Sequence, residues 1–176
     1  GTDTFGCVSN QEIHVIEVND APDLTITGVK KACLNSTIEL SVSSSKNDPI
    51  YWIDTECGNN GNQIANDIRR VKLTRTGDYK FKASITTNGC ETIDSLVVTV
   101  YPNPTVELTS DNNKNYVCAG GSLPLTASSQ TNKYSWNISS STSNKVSVKP
   151  TTNPTTCIVT VTDDNQCTGS DTFDVS

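Results

Sequence analysis

The chain has no methionine and a single histidine, His14. One imidazole cannot supply a ligand pair, and no Cys-x-x-Cys occurs to replace it, so the spacing of a zinc site is missing. Gly-x-Ser-x-Gly elbows, phosphate-cradling glycine loops and paired carboxylates in a recognisable frame are also missing, which leaves catalysis without its parts. Basic residues are in deficit: 13 Lys and Arg against 19 Asp and Glu give a net charge of −6, with no concentrated basic stretch. Nucleic acid and anionic membrane surfaces therefore lose their main driving force as partners. The longest apolar run, Leu96 to Tyr101, has the length of a strand, and membrane insertion is not expected.

Ser, Thr, Asn and Asp are abundant instead, and apolar residues alternate with polar ones. Thr25-Ile26, Ile38 to Val42, Tyr79 to Ile85, Val146 to Val148 and Ile158 to Val161 are short, β-favouring and bounded by turn residues. Gln63 to Lys72 fits a short helix, although Ile68 to Leu73 reads equally well as a strand. The expected class is all-β.

One phrase occurs three times. Cys7 to Val15, Cys90 to Val98 and Cys167 to Val175 align without a gap, with an apolar residue at Cys+6 (Ile13, Leu96, Phe173) and a valine at Cys+8. Positions two apart share one face of a strand, and the polar stretch before them reads as a hairpin turn. A second phrase opens each unit: Cys33 to Leu40 matches Cys118 to Leu125, 85 residues further on. The chain thus reads as a tandem array. Residues 1–20 form the closing hairpin of a preceding repeat, 21–101 a first domain and 102–176 a second, in a segment expected to belong to a longer polypeptide. Linkers as short as Pro102-Asn103-Pro104 predict a stiff column of domains.

In the second domain the strands are predicted at Thr105 to Thr109 (A), Ser122 to Ala127 (B), Lys133 to Ile138 (C), Lys145 to Lys149 (E), Thr156 to Thr162 (F) and Asp171 to Val175 (G), with D weak or absent. That count and those lengths fit tandem immunoglobulin-like β-sandwiches. Trp52 and Trp136 fall 19 and 18 residues after the opening cysteines, so each should fill the core from strand C. Tyr51 points the opposite way and is the one aromatic retained as a candidate contact for a saccharide.

Seven cysteines in small β domains argue for an oxidising, extracellular compartment, at a cell surface or beyond it. In a sandwich of this kind strands B and F run the same way, so the start of B and the end of F lie at opposite poles, roughly 20 Å apart. Disulfide-linked α-carbons must lie within about 7 Å, which makes a Cys33–Cys90 bond hard to build. The start of B faces the next domain and the F to G turn faces the previous one. This favours Cys33–Cys167 across the junction, with Cys90 directed to a domain before and Cys118 to one after. The competing scheme stays within a domain, Cys33–Cys57 and Cys118–Cys157. Cys7 has no assigned partner.

The Cys-x-Asn/Gly-Ser/Gly opening, the strand C tryptophan, Thr76-Gly77-Asp78-Tyr79 leading into strand F and the closing Asn88-Gly89-Cys90 together resemble known repeats. They are similar to the PKD-like and immunoglobulin-like repeats of large Bacteroidetes surface adhesins, the SprB-type gliding-motility proteins exported by type IX secretion. The second domain departs from the pattern, with Cys157 near the position of Tyr79 and Gln166 in place of the glycine. The resemblance implies a non-catalytic stalk that projects a distal adhesive region. Its partners would be neighbouring repeats of the same polypeptide. It also implies that Ser95, in Asp94-Ser95-Leu96, is an O-glycosylation candidate.

Other candidates rest on local chemistry. Glu17, Asn19 and Asp20 at the first linker, which resembles junctions of cadherin-like repeats, and Asp163, Asp164 and Asn165 near the second offer oxygen ligands to calcium. The same residues are good turn formers. Asn35 and Asn137 stand in Asn-x-Ser/Thr sequons. The insertion from Asp54 to Arg70 and Tyr51 support an alternative: a module that binds surface polysaccharide or a cell-surface protein, or an accessory domain of a secreted hydrolase.

Overall fold

The computed structural model describes residues 4–6, 18–53, 63–64, 68–111, 113–131 and 133–176. Among them there is no helix, and the strands run in the order β1 (Thr25–Gly28), β2 (Lys31–Cys33), β3 (Thr37–Ser43), β4 (Ile50–Trp52), β5 (Gln63–Ile64), β6 (Ile68–Lys72), β7 (Gly77–Thr87), β8 (Cys90–Tyr101), β9 (Val106–Ser110), β10 (Leu123–Ser129), β11 (Lys133–Trp136), β12 (Lys145–Val148), β13 (Thr155–Thr162) and β14 (Thr168–Val175). No sheet contains strands from both sides of Pro102–Pro104: the orders are β1-β3-β6 with β2-β8-β7-β4-β5, then β12-β10-β9 with β11-β13-β14.

Period-two patterning builds each sandwich. In β3, Ile38, Leu40 and Val42 turn inward while Thr37, Glu39, Ser41 and Ser43 face solvent. From the facing sheet, Tyr79, Phe81, Ala83 and Ile85 of β7 and Leu96, Val98 and Val100 of β8 meet them. Leu108, Leu123, Leu125, Ala127, Val148, Cys157, Val159 and Val175 form the second, separate core. Trp52 and Trp136 lie inside these cores, 3% and 6% exposed. Each sandwich is immunoglobulin-like.

Several expectations need correction. Residues 63–64 and 68–72 are strands, not a helix, because β6 completes the β1-β3-β6 sheet, antiparallel to β3 with Val71 opposite Ile38. The turn in the closing phrase precedes Cys90 instead of following it: Cys90 already pairs with Thr87 across the two-residue turn Asn88-Gly89, whose φ angles of 48° and 81° suit Asn and Gly. The second domain closes with a longer loop, Asp163 to Cys167, so β14 begins at Thr168 and not at 171. Strand C ends at Trp136, two residues early, and strand B continues to Ser129. The sequence also gave no warning of β2, which runs parallel to β8 with Cys33 opposite Tyr101.

One clamp recurs at Cys+4. The Asp94 carboxylate accepts a hydrogen bond from the Ile26 amide at 2.7 Å and another from the Ser95 amide at 2.8 Å. Asp171 does the same for Leu108 and Thr172, both at 2.8 Å. The first strand of each sandwich is thereby fastened to its last strand, where no ladder joins them. Asp171→Ala removes a charged acceptor from two part-buried or exposed amides and should cost about 1–3 kcal/mol. Urea unfolding is the check, with Asp171→Asn recovering part of the loss.

Candidate functional site

The site begins at a turn. Cys33 closes β2, and the chain reverses through Asn35, whose φ of 67° is the left-handed conformation that Asn tolerates. The Ser36 amide and hydroxyl both donate to the Cys33 carbonyl, at 3.1 and 2.6 Å, and the Leu34 amide donates to Tyr101 at 2.9 Å. Cys33 is therefore held beside the end of β8, where the chain leaves the first sandwich.

Cys167 reaches the same place from the second sandwich. Its amide donates to the Asp163 carboxylate at 2.8 Å, its carbonyl accepts from the Asp163 amide at 2.9 Å, and Gln166 adopts φ 66° to close the loop. Cys33 and Cys167 form a disulfide with α-carbons 5.5 Å apart. Two further contacts fix the junction. The Asn103 side-chain amide donates to the Leu34 carbonyl at 3.3 Å. Gly169 lies against Pro104 so closely that an added Cβ would stand 3.0 Å from the Pro104 carbonyl carbon and nearer still to its oxygen. The equivalent residue of the first sandwich, Thr92, uses that approach by donating its hydroxyl to the Pro22 carbonyl at 2.7 Å.

The competing disulfide scheme fails. Cys33 is occupied by Cys167, so it is not joined to Cys57, and Cys118 and Cys157 are both free. Cys157 is fully buried, and burial, with the nearby Asp174 charge, raises its thiol pKa, so it is a core residue and a poor nucleophile. Cys7 and Cys57 lie outside the described residues, as do Glu17 and His14.

Cys118 is exposed and repeats two of the backbone hydrogen bonds around Cys33. The Ser176 amide donates to Asn115 as the Thr99 amide does to Lys30; the Gly121 amide donates to Cys118 as that of Ser36 does to Cys33. Gly120, at φ 79°, takes the place of Asn35. Cys90 is half-buried on the hairpin that corresponds to the Asp163–Cys167 loop, its thiol 3.7 Å from the Asn19 carbonyl.

Of the calcium candidates, the Asp163 carboxylate holds Cys167, Asp164 pairs with Lys133 at 3.1 Å and Asp20 is exposed. Among the described residues no three His, Cys, Asp or Glu groups cluster as a metal site would. Ser95 and Asn35 are exposed. The Asn137 amide is engaged on β13, donating to Thr156 at 3.0 Å and accepting from Ile158 at 2.7 Å.

Tyr79 makes the corner that Thr76-Gly77-Asp78-Tyr79 resembles. Its phenol oxygen accepts from the amides of Thr74 and Arg75, at 2.9 and 3.0 Å. Burial alone would raise its pKa, but those donors and the Arg75 guanidinium outweigh it and the net shift is downward. In the second sandwich the register puts Cys157 opposite Phe173, where Phe81 faces Leu96 in the first.

No family model and no curated protein matches the chain. Solved structures do. CbhA fibronectin(III)-like modules from Clostridium thermocellum are 14% identical, with 87% of this chain and 93% of that one covered, at a TM-score of 0.43. An ectodomain fragment of ICAM-5 is also 14% identical, over 90% of this chain and 47% of its own length, at 0.48. An I-band fragment of titin is 9% identical over 90% of this chain and 66% of that one, at 0.40. The site residues are not assigned by these likenesses.

The sequence marks Asp163 only as a calcium candidate and does not mark Asp94, Asp171 or Gly169 for the contacts they make. The available signal was the repetition of Asp at Cys+4 in two of the three closing phrases.

Proposed function

We propose that the chain is a stalk segment of a long, repetitive extracellular adhesin, in which each sandwich is fastened to the next and a distal adhesive region is held away from the cell surface. The Cys33–Cys167 bond carries this reading, since it ties the exit of one sandwich to the closing loop of the next beside a linker of three residues. The second support is the likeness of the Cys118 turn to the Cys33 turn and of the Cys90 hairpin to the Cys167 loop, so that on this reading Cys118 would bond a following repeat and Cys90 a preceding one. The SprB-type gliding adhesins of Bacteroidetes are the proposed parent class, and the role needs no catalysis.

Non-reducing peptide mapping of the native full-length protein tests this. Cys118 should be found bonded to a cysteine in the last hairpin of the next repeat, and Cys90 to the opening cysteine of the one before. Recovery of both as free thiols from protein that retains Cys33–Cys167 would end the repeating scheme.

A further inference from the structure

We propose that the outer face of the five-stranded sheet in the first sandwich binds an acidic polysaccharide. This face is built differently from its counterpart in the second sandwich. Tyr51 of β4 lies opposite Ser84 of β7, which lies opposite Ile93 of β8, all on the solvent side. Tyr51 is 37% and Ile93 54% exposed, with Ser84 between them 7% exposed. Exposed Lys82 and Lys80 follow on β7, the latter opposite Val97, which is 43% exposed.

The second sandwich shows that the fold does not require these residues. Trp136 lies opposite Val159 as Trp52 lies opposite Ala83, and Asp171 corresponds to Asp94. On that register Tyr51, Ser84 and Ile93 are replaced by Ser135, Thr160 and Ser170, which pair in the same row. Lys80 and Val97 are replaced by Thr156 and Asp174. Lys80 and Lys82 thus stand where the second sandwich carries Thr156 and Ile158, and Val97 where it carries the carboxylate of Asp174, in a chain whose net charge is −6.

Two lysines whose α-carbons stand about 7 Å apart along a strand, next to a strand that carries an exposed tyrosine, suit a chain of uronate sugars. The ring packs on pyranose C–H faces and the ammonium groups meet the carboxylates. The apolar side chains are separated by lysine stems and Ser95, too dispersed for the contiguous apolar centre of a protein interface. Among the described residues, carboxylates on this face stand only at its ends, Glu91 and Asp78, the latter accepting a 2.8 Å hydrogen bond from Thr99.

The test is titration of the whole oxidised chain with polygalacturonate, alginate and chondroitin sulfate oligosaccharides, with dextran as the neutral control, followed by calorimetry and amide NMR. At least one acidic glycan should bind, shifting amides of β4, β7 and β8. Tyr51→Ser and the double variant Lys80→Ser/Lys82→Ser should each weaken binding at least tenfold, while Lys145→Ser on β12 changes it less than twofold. No binding to any acidic glycan, equal binding to dextran, shifts located elsewhere, or loss with Lys145→Ser would overturn the assignment. Retention of an acidic protein at this face without glycan binding would also overturn it. Because the variants replace exposed side chains with residues suited to a strand, their unchanged melting can be verified first.

Discussion

Trp136→Ala should unfold the second sandwich near or below physiological temperature while the first stays folded. Removing a buried tryptophan costs about 3–5 kcal/mol. At roughly 0.05–0.15 kcal/mol per residue, a domain of about 75 residues has about 4–11 kcal/mol in total. The indole also donates from Nε1 to the Ser143 carbonyl at 2.9 Å, so its loss releases the segment that leads into β12. The two cores share no residue, and amide exchange should therefore show protection lost across residues 106–175 and kept across 26–100. Trp52→Ala should produce the mirror pattern, losing as well the Arg69 guanidinium stacked 5.0 Å over its ring. Simultaneous loss in both sandwiches would show that they fold as one unit.

Breaking Cys33–Cys167 should act differently, loosening the junction without unfolding either sandwich. The bonded cysteines are 134 residues apart, but most of that length is held by two independent cores. What the bond restrains is the short Pro102–Pro104 linker, so most of the usual contribution of about 2–4 kcal/mol should appear as junction order. Cys33→Ser should speed exchange of the Cys167 amide, now held only by Asp163, and leave the cores of β7 and β13 protected. The restraints left at the junction include the Asn103 hydrogen bond to the Leu34 carbonyl at 3.3 Å, a neutral bond worth about 1 kcal/mol, and the packing of Gly169 on Pro104. They cannot hold the angle alone.

Much of this was legible in the sequence because it follows from alternation and repetition. The burial of Trp52 and Trp136 follows from their nearly equal distances, 19 and 18 residues, from an opening cysteine. A bond across the junction follows from strand direction, since a parallel B and F place Cys33 and Cys90 at opposite poles. What stayed hidden depends on residues brought together by the fold. Asp94 meets the Ile26 amide from 68 positions away, and Asp171 meets Leu108 from 63. Gly169 reads as an ordinary turn glycine until the carbonyl of Pro104 is placed against it. The ambiguity of Gln63 to Lys72 was real: five residues of mixed pattern become a strand because β3 offers a free edge to pair with.

Small-angle scattering of the isolated chain, oxidised and then reduced, tests most directly whether consecutive sandwiches are fastened into a stiff column. The oxidised chain should give one narrow distribution of interatomic distances, and the reduced chain a broader one that includes bent forms while both melting transitions persist. Indistinguishable broad distributions before and after reduction would contradict the account.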